Sequence, residues 1–395
     1  DVDAEQYELL RAISGDGVGL TAIGDPDQAI YGFRGADVGF FLHFTADFPA
    51  ATMVPLNRNY RSEPAIVTAA MQAIAPATLV PGRQARAMRR EAADQVAGDS
   101  IGALTFHEAA DEYAEGAWIA LTCDQLLGGT SFHSLDSGRA DGQDHGRIGL
   151  ADIAVLYRTD AQAGAIGQAL TRAGLPFAKG SHDLLARRAG VPEIMREMAL
   201  ASPDASEAGV GDTRAGGADV SERLKAAVRA LAAVRGERDA TVVDVRAAGE
   251  LLAPLARRCG PDIERFRTEV ALGAEVDALD PRADAITLLT MHGAKGLEFD
   301  VVFLAGCENG LLPLRFGGSG PLPPAQEAEE RRLLFVGMTR GRRRLLLSWS
   351  ARRNRNGIEA ATGRSPFLAA IAPGLAGGGQ APRPAKPSAR QLRLL

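Results

Sequence analysis

Cysteine is scarce in this chain: Cys123, Cys259 and Cys307 are the only three among 395 residues, and they lie far apart. They form neither a disulfide framework nor a zinc-ligand set, and a reducing compartment fits best. No run of about 18 or more uncharged apolar residues occurs, which excludes a membrane-spanning helix. No basic leader followed by an apolar stretch opens the chain, so a cytoplasmic protein without a membrane partner is expected. Basic charge is not in excess either, since 44 Lys and Arg against 49 Asp and Glu leave a net −5. That balance excludes a generally basic nucleic-acid coat but leaves room for a local basic track inside a cleft. The nucleotide P-loop pattern Gly-x-x-x-x-Gly-Lys-Ser/Thr is missing throughout, and no metal-ligand set is expected among these residues.

What is present is an ordinary globular balance, with 46% hydrophobic and 24% charged residues, over a length that suits two or three domains. Residues 4–13 place Tyr7, Leu10 and Ile13 on one helical face. A short buried strand is expected at 19–24, helical spacing at 37–48 and another short strand at 50–54. Ser62, with Glu63 and Pro64 behind it, predicts a capped helix start. A polar, arginine-rich connector at 78–100 leads to a strand at 101–106, a helix at 108–127 and a loop at 128–149. A strand at 151–157 and a helix at 161–173 come next. Strands alternating with helices predict a parallel sheet covered by helices. From 191 to 275 the periodicity is helical, apart from a Gly-rich break at 209–218, and strands return at 286–291, 300–305 and 343–348. The helical stretch is therefore read as an insertion in an α/β domain, and 373–395, rich in Pro, Gly, Ala and Arg, as a disordered tail.

Four polar clusters sit at expected strand junctions, where open α/β sheets place ligands. In GDPDQAIYGFRGA, residues 24–36, Gln28 can orient water or touch a terminal phosphate, Tyr31 and Phe33 offer flat faces, and Arg34 offers a donor fork. A polar turn followed by core aromatics would account for the same residues. In LNRNYRS, residues 56–62, Arg61 can meet a phosphate and Tyr60 can stack, or both can be solvated surface. In TMHGAKGLEFDVVFLAG, residues 290–306, Gly293 and Gly296 permit close backbone approach. There Lys295 can hold phosphate and Glu298 can accept from a ribose or orient an arginine; His292 and Lys295 can equally be structural. In EAEERRLLFVGMTRGRRR, residues 327–344, Arg340 is the candidate for charge developing on a transferred phosphoryl group. Arg342, Arg343 and Arg344 read as surface or as a nucleic-acid track.

Together these clusters resemble the UvrD/Rep/PcrA group of superfamily 1 DNA helicases. GDPDQAIYGFRGA is similar to their third motif, NYRS to the fourth, TMHGAKGLEF to the fifth and EERRLLFVGMTRGR to the sixth; ADIAVLYRTDAQAGAIGQAL, residues 151–170, is similar to the strand and helix between the fourth and fifth. The resemblance implies a RecA-like P-loop NTPase fold of class α/β, with a helical insertion. It implies that 1–50 ends a first RecA-like domain, that 51–185 with 280–372 form the second, and that 186–279 is a reduced form of the family's mobile domain. It implies catalytic roles for Gln28, Arg61, Glu298 and Arg340, which with Asp1, Tyr60 and Gly296 would face ATP. Tyr31, Phe33, Arg34, Arg158, Thr290, His292 and Lys295 would face single-stranded DNA or a single/double-strand junction. Phe33 stands where Trp is more usual, a change that still permits stacking.

DVDAEQYELL resembles the stretch that runs on from the family's Asp-Glu-x-Gln-Asp motif, so Asp1 would be that motif's last Asp. The Walker A lysine and the principal ligands of Mg2+ would then belong to an upstream segment. The implied activity is ATP-dependent movement with 3′ to 5′ polarity, in DNA repair or replication with repair proteins as partners, and the chain alone is expected to be catalytically incomplete. Two other readings stay open: a helicase-derived DNA-binding or regulatory module without ATPase activity, and the helicase portion of a helicase–nuclease. Against the latter, no nuclease-type cluster of carboxylates and lysine lies beyond residue 350.

Overall fold

The computed structural model describes residues 1–15, 19–84, 86–87, 102–128, 148–180, 184–200, 219–235, 240–273, 284–315, 320–355 and 357–375. Helix α1 (Ala4–Ser14) opens on a capping box in which Asp3 accepts from the Gln6 N–H. Of its expected apolar face Tyr7 is buried, whereas Ile13 is 77% exposed. The expected strand at 19–24 is coil, and Ile23 is 86% exposed there. No described strand lies beside it to complete a ladder. The stretch 37–48 breaks into two short helices, α2 (Gly39–Leu42) and α3 (Phe44–Asp47), and 50–54 is coil. A two-residue strand, β1 (Arg58–Asn59), pairs in parallel with β2 (Arg86–Ala87).

Helix α4 (Pro64–Ile74) starts one residue later than expected: Glu63 is its N-cap, with Pro64 opening the first turn. The Ser62 hydroxyl instead donates to the Gly341 carbonyl at 2.7 Å, fastening the loop to a distant strand. Next come β3 (Leu104–Ala109), α5 (Glu112–Leu126), β4 (Ile153–Tyr157), α6 (Ala163–Arg172) and β5 (Phe177–Lys179). Asp111 caps α5 by accepting from Tyr113 N–H and Ala114 N–H, beside the acidic first turn that the helix dipole favours. Four helices succeed them, α7 (Val191–Leu200), α8 (Val220–Arg235), α9 (Ala240–Cys259) and α10 (Ile263–Leu272), and then β6 (Ile286–Thr290), β7 (Phe299–Leu304), α11 (Pro324–Met338) and β8 (Gly341–Ser350). A hairpin of β9 (Arg352–Arg355) and β10 (Ile358–Ala361) closes the described strands. The expected loop at 128–149 lies outside the described residues from 129 to 147, the Gly-rich break entirely so, and the expected tail from 376 onward.

Six strands form one parallel sheet in the order β3-β8-β7-β4-β6-β5. Alternate residues sort to its two faces, as the pleat dictates. Ala154, Leu156, Leu289, Val302, Leu304, Leu345 and Leu347 join α4 and α11 in one core. Ile153, Val155, Tyr157, Leu288, Val301 and Phe303 join α5 and α6 in another. Covered on both faces, β4 is buried at every residue. This is a mixed α/β fold of the RecA-like P-loop NTPase type, with a helical bundle set into it. The bundle, α7 to α10, encloses its own core around Phe266, Leu252 and Ile194.

One buried ionic network holds the β8 end of the sheet. Arg353 donates to Glu115 at 2.6 Å and to Glu308 at 2.7 Å, while Ser348 and the Gly306 N–H complete the Glu115 carboxylate. Desolvation opposes the Arg353 charge, yet the two carboxylates win and hold its pKa above the usual range.

Candidate functional site

The chain connecting β6 to β7 positions much of the site. These strands are parallel and flank β4, so residues 291–298 must return across one face of the sheet. Met291 and Ala294 are buried into that face, while Gly296 turns the backbone at φ 88° and is exposed. Glu298 and Arg340 therefore stand just before the amino ends of β7 and β8, joined by the Phe299 N–H donating to the Arg340 carbonyl at 3.0 Å. Thr290 and His292 stand at the carboxyl end of β6. A connection that crosses the sheet thus delivers residues to both ends of its strands.

Arg340 is the most enclosed member. It is 2% exposed and donates to the carbonyls of Val336 and Leu297 at 2.9 and 3.2 Å. It also donates to Thr339 Oγ1 at 3.0 Å and to Gln28 Oε1 at 3.4 Å. All four acceptors are neutral. Burial, and then the nearby Arg61 charge, lower its pKa to about 10, which leaves it a cation at neutral pH. Gln28 is itself oriented by donating to Asp25 at 3.0 Å. Arg61 reaches the Thr339 carbonyl at 3.3 Å and forms an ion pair with Glu298. Asn59 shapes that loop by accepting from the Arg61 and Ser62 N–H groups.

Burial would raise the Glu298 carboxyl, but Arg342 and Arg61 together carry it below the usual range. Of the two roles Glu298 could take, orienting an arginine is the one its contacts support. Tyr60 is 69% exposed beside this group.

A second cluster is aromatic. Tyr31 lies 5.9 Å from Phe33 and 6.2 Å from His292, centroid to centroid, and Phe33 meets His292 edge-on at 5.5 Å. The Tyr31 hydroxyl donates to the His292 carbonyl at 3.2 Å, and Phe33 is 65% exposed. Lys295 lies between the two clusters, donating to the Gln28 carbonyl at 2.9 Å and pairing with Asp1. Burial and the Arg340 charge push it down to about 8.

The other sequence-derived candidates take positions of their own. Asp1 accepts from the Ile30 N–H at 3.1 Å as well as from Lys295. Arg158 grips Glu330 of α11 with three bonds, the shortest 2.5 Å. Thr290 Oγ1 accepts from the Gly293 N–H. Arg34 occupies the single turn Gly32–Arg34, and its side chain lies outside the described set.

Several residues that organise the site were not among the candidates read from the sequence. Arg83 binds both Asp25 oxygens, at 2.7 and 2.6 Å, and reaches the fully buried Asp27 at 2.8 Å. Arg332 donates to the Ala29 carbonyl and Glu329 accepts from the Gly32 N–H, so α11 holds the middle of the loop. Their partners are more than 50 residues away in sequence, which no spacing rule reaches.

The donor set fits a polyphosphate. Two guanidiniums lie together, one of them buried among neutral acceptors, so a polyanion would complete their charge balance. It does not fit Mg2+: both Asp1 oxygens are engaged, and among the described residues no group of three His, Cys, Asp or Glu could hold a metal.

The parallel sheet of a RecA-like fold thus carries an arginine–glutamine cluster beside an aromatic patch. Comparison with known proteins places this fold in a family. The UvrD-like helicase C-terminal domain matches residues 54–204 and 237–352, and the UvrD/REP helicase N-terminal domain matches 1–49. The chain belongs to the UvrD-like helicase family. It is 35% identical over 387 residues to the ATP-dependent DNA helicase UvrD2 of Mycobacterium tuberculosis, covering 94% of this chain and 49% of that one. It is 28% identical over 450 and 444 residues to the ATP-dependent DNA helicases PcrA of Leuconostoc citreum and Bacillus subtilis, covering 95% and 94% of this chain and 56% of each of them. The chain thus spans about half the length of these curated relatives. No helix among the described residues is long and apolar enough to cross a membrane.

Proposed function

We propose that this chain is the C-terminal part of an ATP-dependent 3′ to 5′ DNA helicase or translocase that couples ATP hydrolysis to movement on single-stranded DNA, in repair or replication. The observation that carries this reading is the meeting of Gln28, Arg61 and Arg340, which three separate motifs bring to one place. Bound ATP would supply a γ-phosphoryl group whose transfer develops negative charge on its oxygens. Arg340 and Arg61 hold positive charge for those oxygens, in a setting pre-organised by backbone carbonyls. Gln28, steadied by Asp25, is placed to orient water. The Tyr60 ring can stack on the base, and the exposed turn at Gly296 lets backbone approach it. Tyr31, Phe33 and His292 offer single-stranded DNA a stacking surface, with Arg34, Thr290 and the basic Arg158 and Lys295 assigned to the same side. The Lys295 contact to Gln28 gives the two clusters a shared loop through which occupancy of one can reach the other.

Within this reading, residues 1–50 end a first RecA-like domain, 51–185 with 280–372 form the second, and 186–279 is the reduced insertion. The Walker A lysine and the Mg2+ ligands are assigned to an upstream helicase segment, the further partners being strand junctions and repair proteins. ATP hydrolysis measured with and without single-stranded DNA tests the assignment. The chain by itself should show no turnover. Joined to a helicase segment that carries the Walker lysine, it should show DNA-stimulated turnover that Arg340→Ala lowers by roughly 10³-fold. Turnover that survives Arg340→Ala would sink the assignment, and DNA binding without turnover in the joined protein would favour a regulatory module.

A further inference from the structure

Glu298 is held from two sides. Arg61 pairs with its Oε1, while Arg342 donates from Nε and Nη2 to its Oε2 at 3.2 and 3.1 Å. The two arginines come from neighbouring backbone. The Glu63 N–H donates to the Arg342 carbonyl at 2.9 Å and Ser62 Oγ to the Gly341 carbonyl at 2.7 Å. Their side chains thus flank one carboxylate from a common base. Arg61, Arg342 and Arg343 pair here with two carboxylates, Glu298 and Asp300, and the Arg340 charge lies close to Arg61 and Glu298.

We propose that Arg342 is a positioning residue that makes Arg61 available to phosphate, by keeping Glu298 paired when Arg61 leaves it. Because this rests on the phosphate-binding reading of Arg61 and Arg340, it deepens that reading. The physical argument concerns the state after Arg61 departs. With Glu298 as its only partner, Arg61 would leave behind a partly enclosed carboxylate without a counter-charge, and the ion pair would resist opening. With Arg342 already bonded to the other oxygen, the carboxylate stays neutralised and Arg61 exchanges one anion for another. Arg342 is half exposed, its side chain at 46%, and can follow Glu298 without disturbing the core. Nothing in its contacts requires it to touch phosphate.

Titration calorimetry of this chain with inorganic tripolyphosphate tests the idea. Arg342→Ala should weaken binding about threefold to fivefold, the range expected for strengthening one partly exposed ion pair. Arg342→Lys should stay near the unmodified chain, since a cation still meets Glu298. Arg342→Ala combined with Glu298→Gln should recover binding, because Arg61 then has no carboxylate holding it back. Failure of the double variant to recover would overturn the proposal and make Arg342 a direct phosphate contact. Unchanged binding in Arg342→Ala, while Arg61→Ala and Arg340→Ala still weaken it, would overturn the proposal alone. Binding insensitive to Arg61→Ala and Arg340→Ala, or no binding by the unmodified chain, would overturn the phosphate reading as well.

Discussion

Phe33 illustrates how one side chain divides between packing and function. Its edge rests on His292, yet about two thirds of it stays exposed, an arrangement a residue recruited only to fill a core would not keep. On the proposed reading its exposed surface receives a base. Phe33→Ala should weaken binding of a single-stranded oligonucleotide by about 1–3 kcal/mol in fluorescence anisotropy, with unchanged far-UV circular dichroism. Phe33→Trp should bind at least as well. Equal affinity in the Ala variant would remove the aromatic patch from the DNA path. Lys295 and Arg158 mark the opposite case, since their charges are engaged by Asp1 and Glu330 in this structure. Both were legible as basic residues in a motif, but their partners were not.

Among the elements, the loop at 24–36 depends most on long-range support. The 3-10 turn Pro26–Gln28 is capped by Asp25, and Asp27 is buried against Thr78, the Leu79 N–H and Arg83. Burial alone would raise the Asp25 carboxyl, but the hydrogen bonds and charge of Arg83 carry it below its ordinary value. Linkage sets the sign. A carboxyl whose folded pKa is depressed adds stability above its unfolded pKa of about 3.9 and loses it as pH falls through the folded value. Urea unfolding of the chain and of Asp25→Asn should therefore differ by a constant amount from pH 7 to about pH 5, and the gap should close below about pH 4. A gap that persists at pH 2 would mean that shape, not charge, joins the loop to residues 78–83.

In the molecule as a whole, three cores divide the chain, two on the faces of the sheet and one inside the helical bundle. Phe266 is fully buried in the bundle core. Phe266→Ala should cost that unit about 3–5 kcal/mol. If the bundle is a separate insertion, calorimetry should show one transition shifted downward and a second unmoved, with oligonucleotide binding by the Phe33 surface intact. A single transition that shifts as a whole would instead join bundle and sheet in one cooperative unit.

Much of the architecture was legible in advance. The largely apolar stretches at 151–157 and 300–305 announce strands, found at Ile153–Tyr157 and Phe299–Leu304, and the helices expected at 108–127 and 161–173 are found at Glu112–Leu126 and Ala163–Arg172. Short motifs named the family because dense local combinations of Gly, Gln, aromatic and Arg rarely arise from packing alone. Expectation failed where local pattern needs a distant partner: the apolar residues near Ile23 pair with no described strand, and Ser62 leaves its helix to bond Gly341.

Pattern along the chain was enough to tell most strands from helices and to say which loops hold chemical groups, because periodicity and residue type are local properties. It took the folded molecule to bury Arg340 among neutral acceptors, to hold Arg61 on Glu298 beside Arg342, and to bring Lys295 to Asp1. Charge pairing and desolvation depend on neighbours that the fold assembles, across separations of up to about 300 residues that no spacing along the chain encodes.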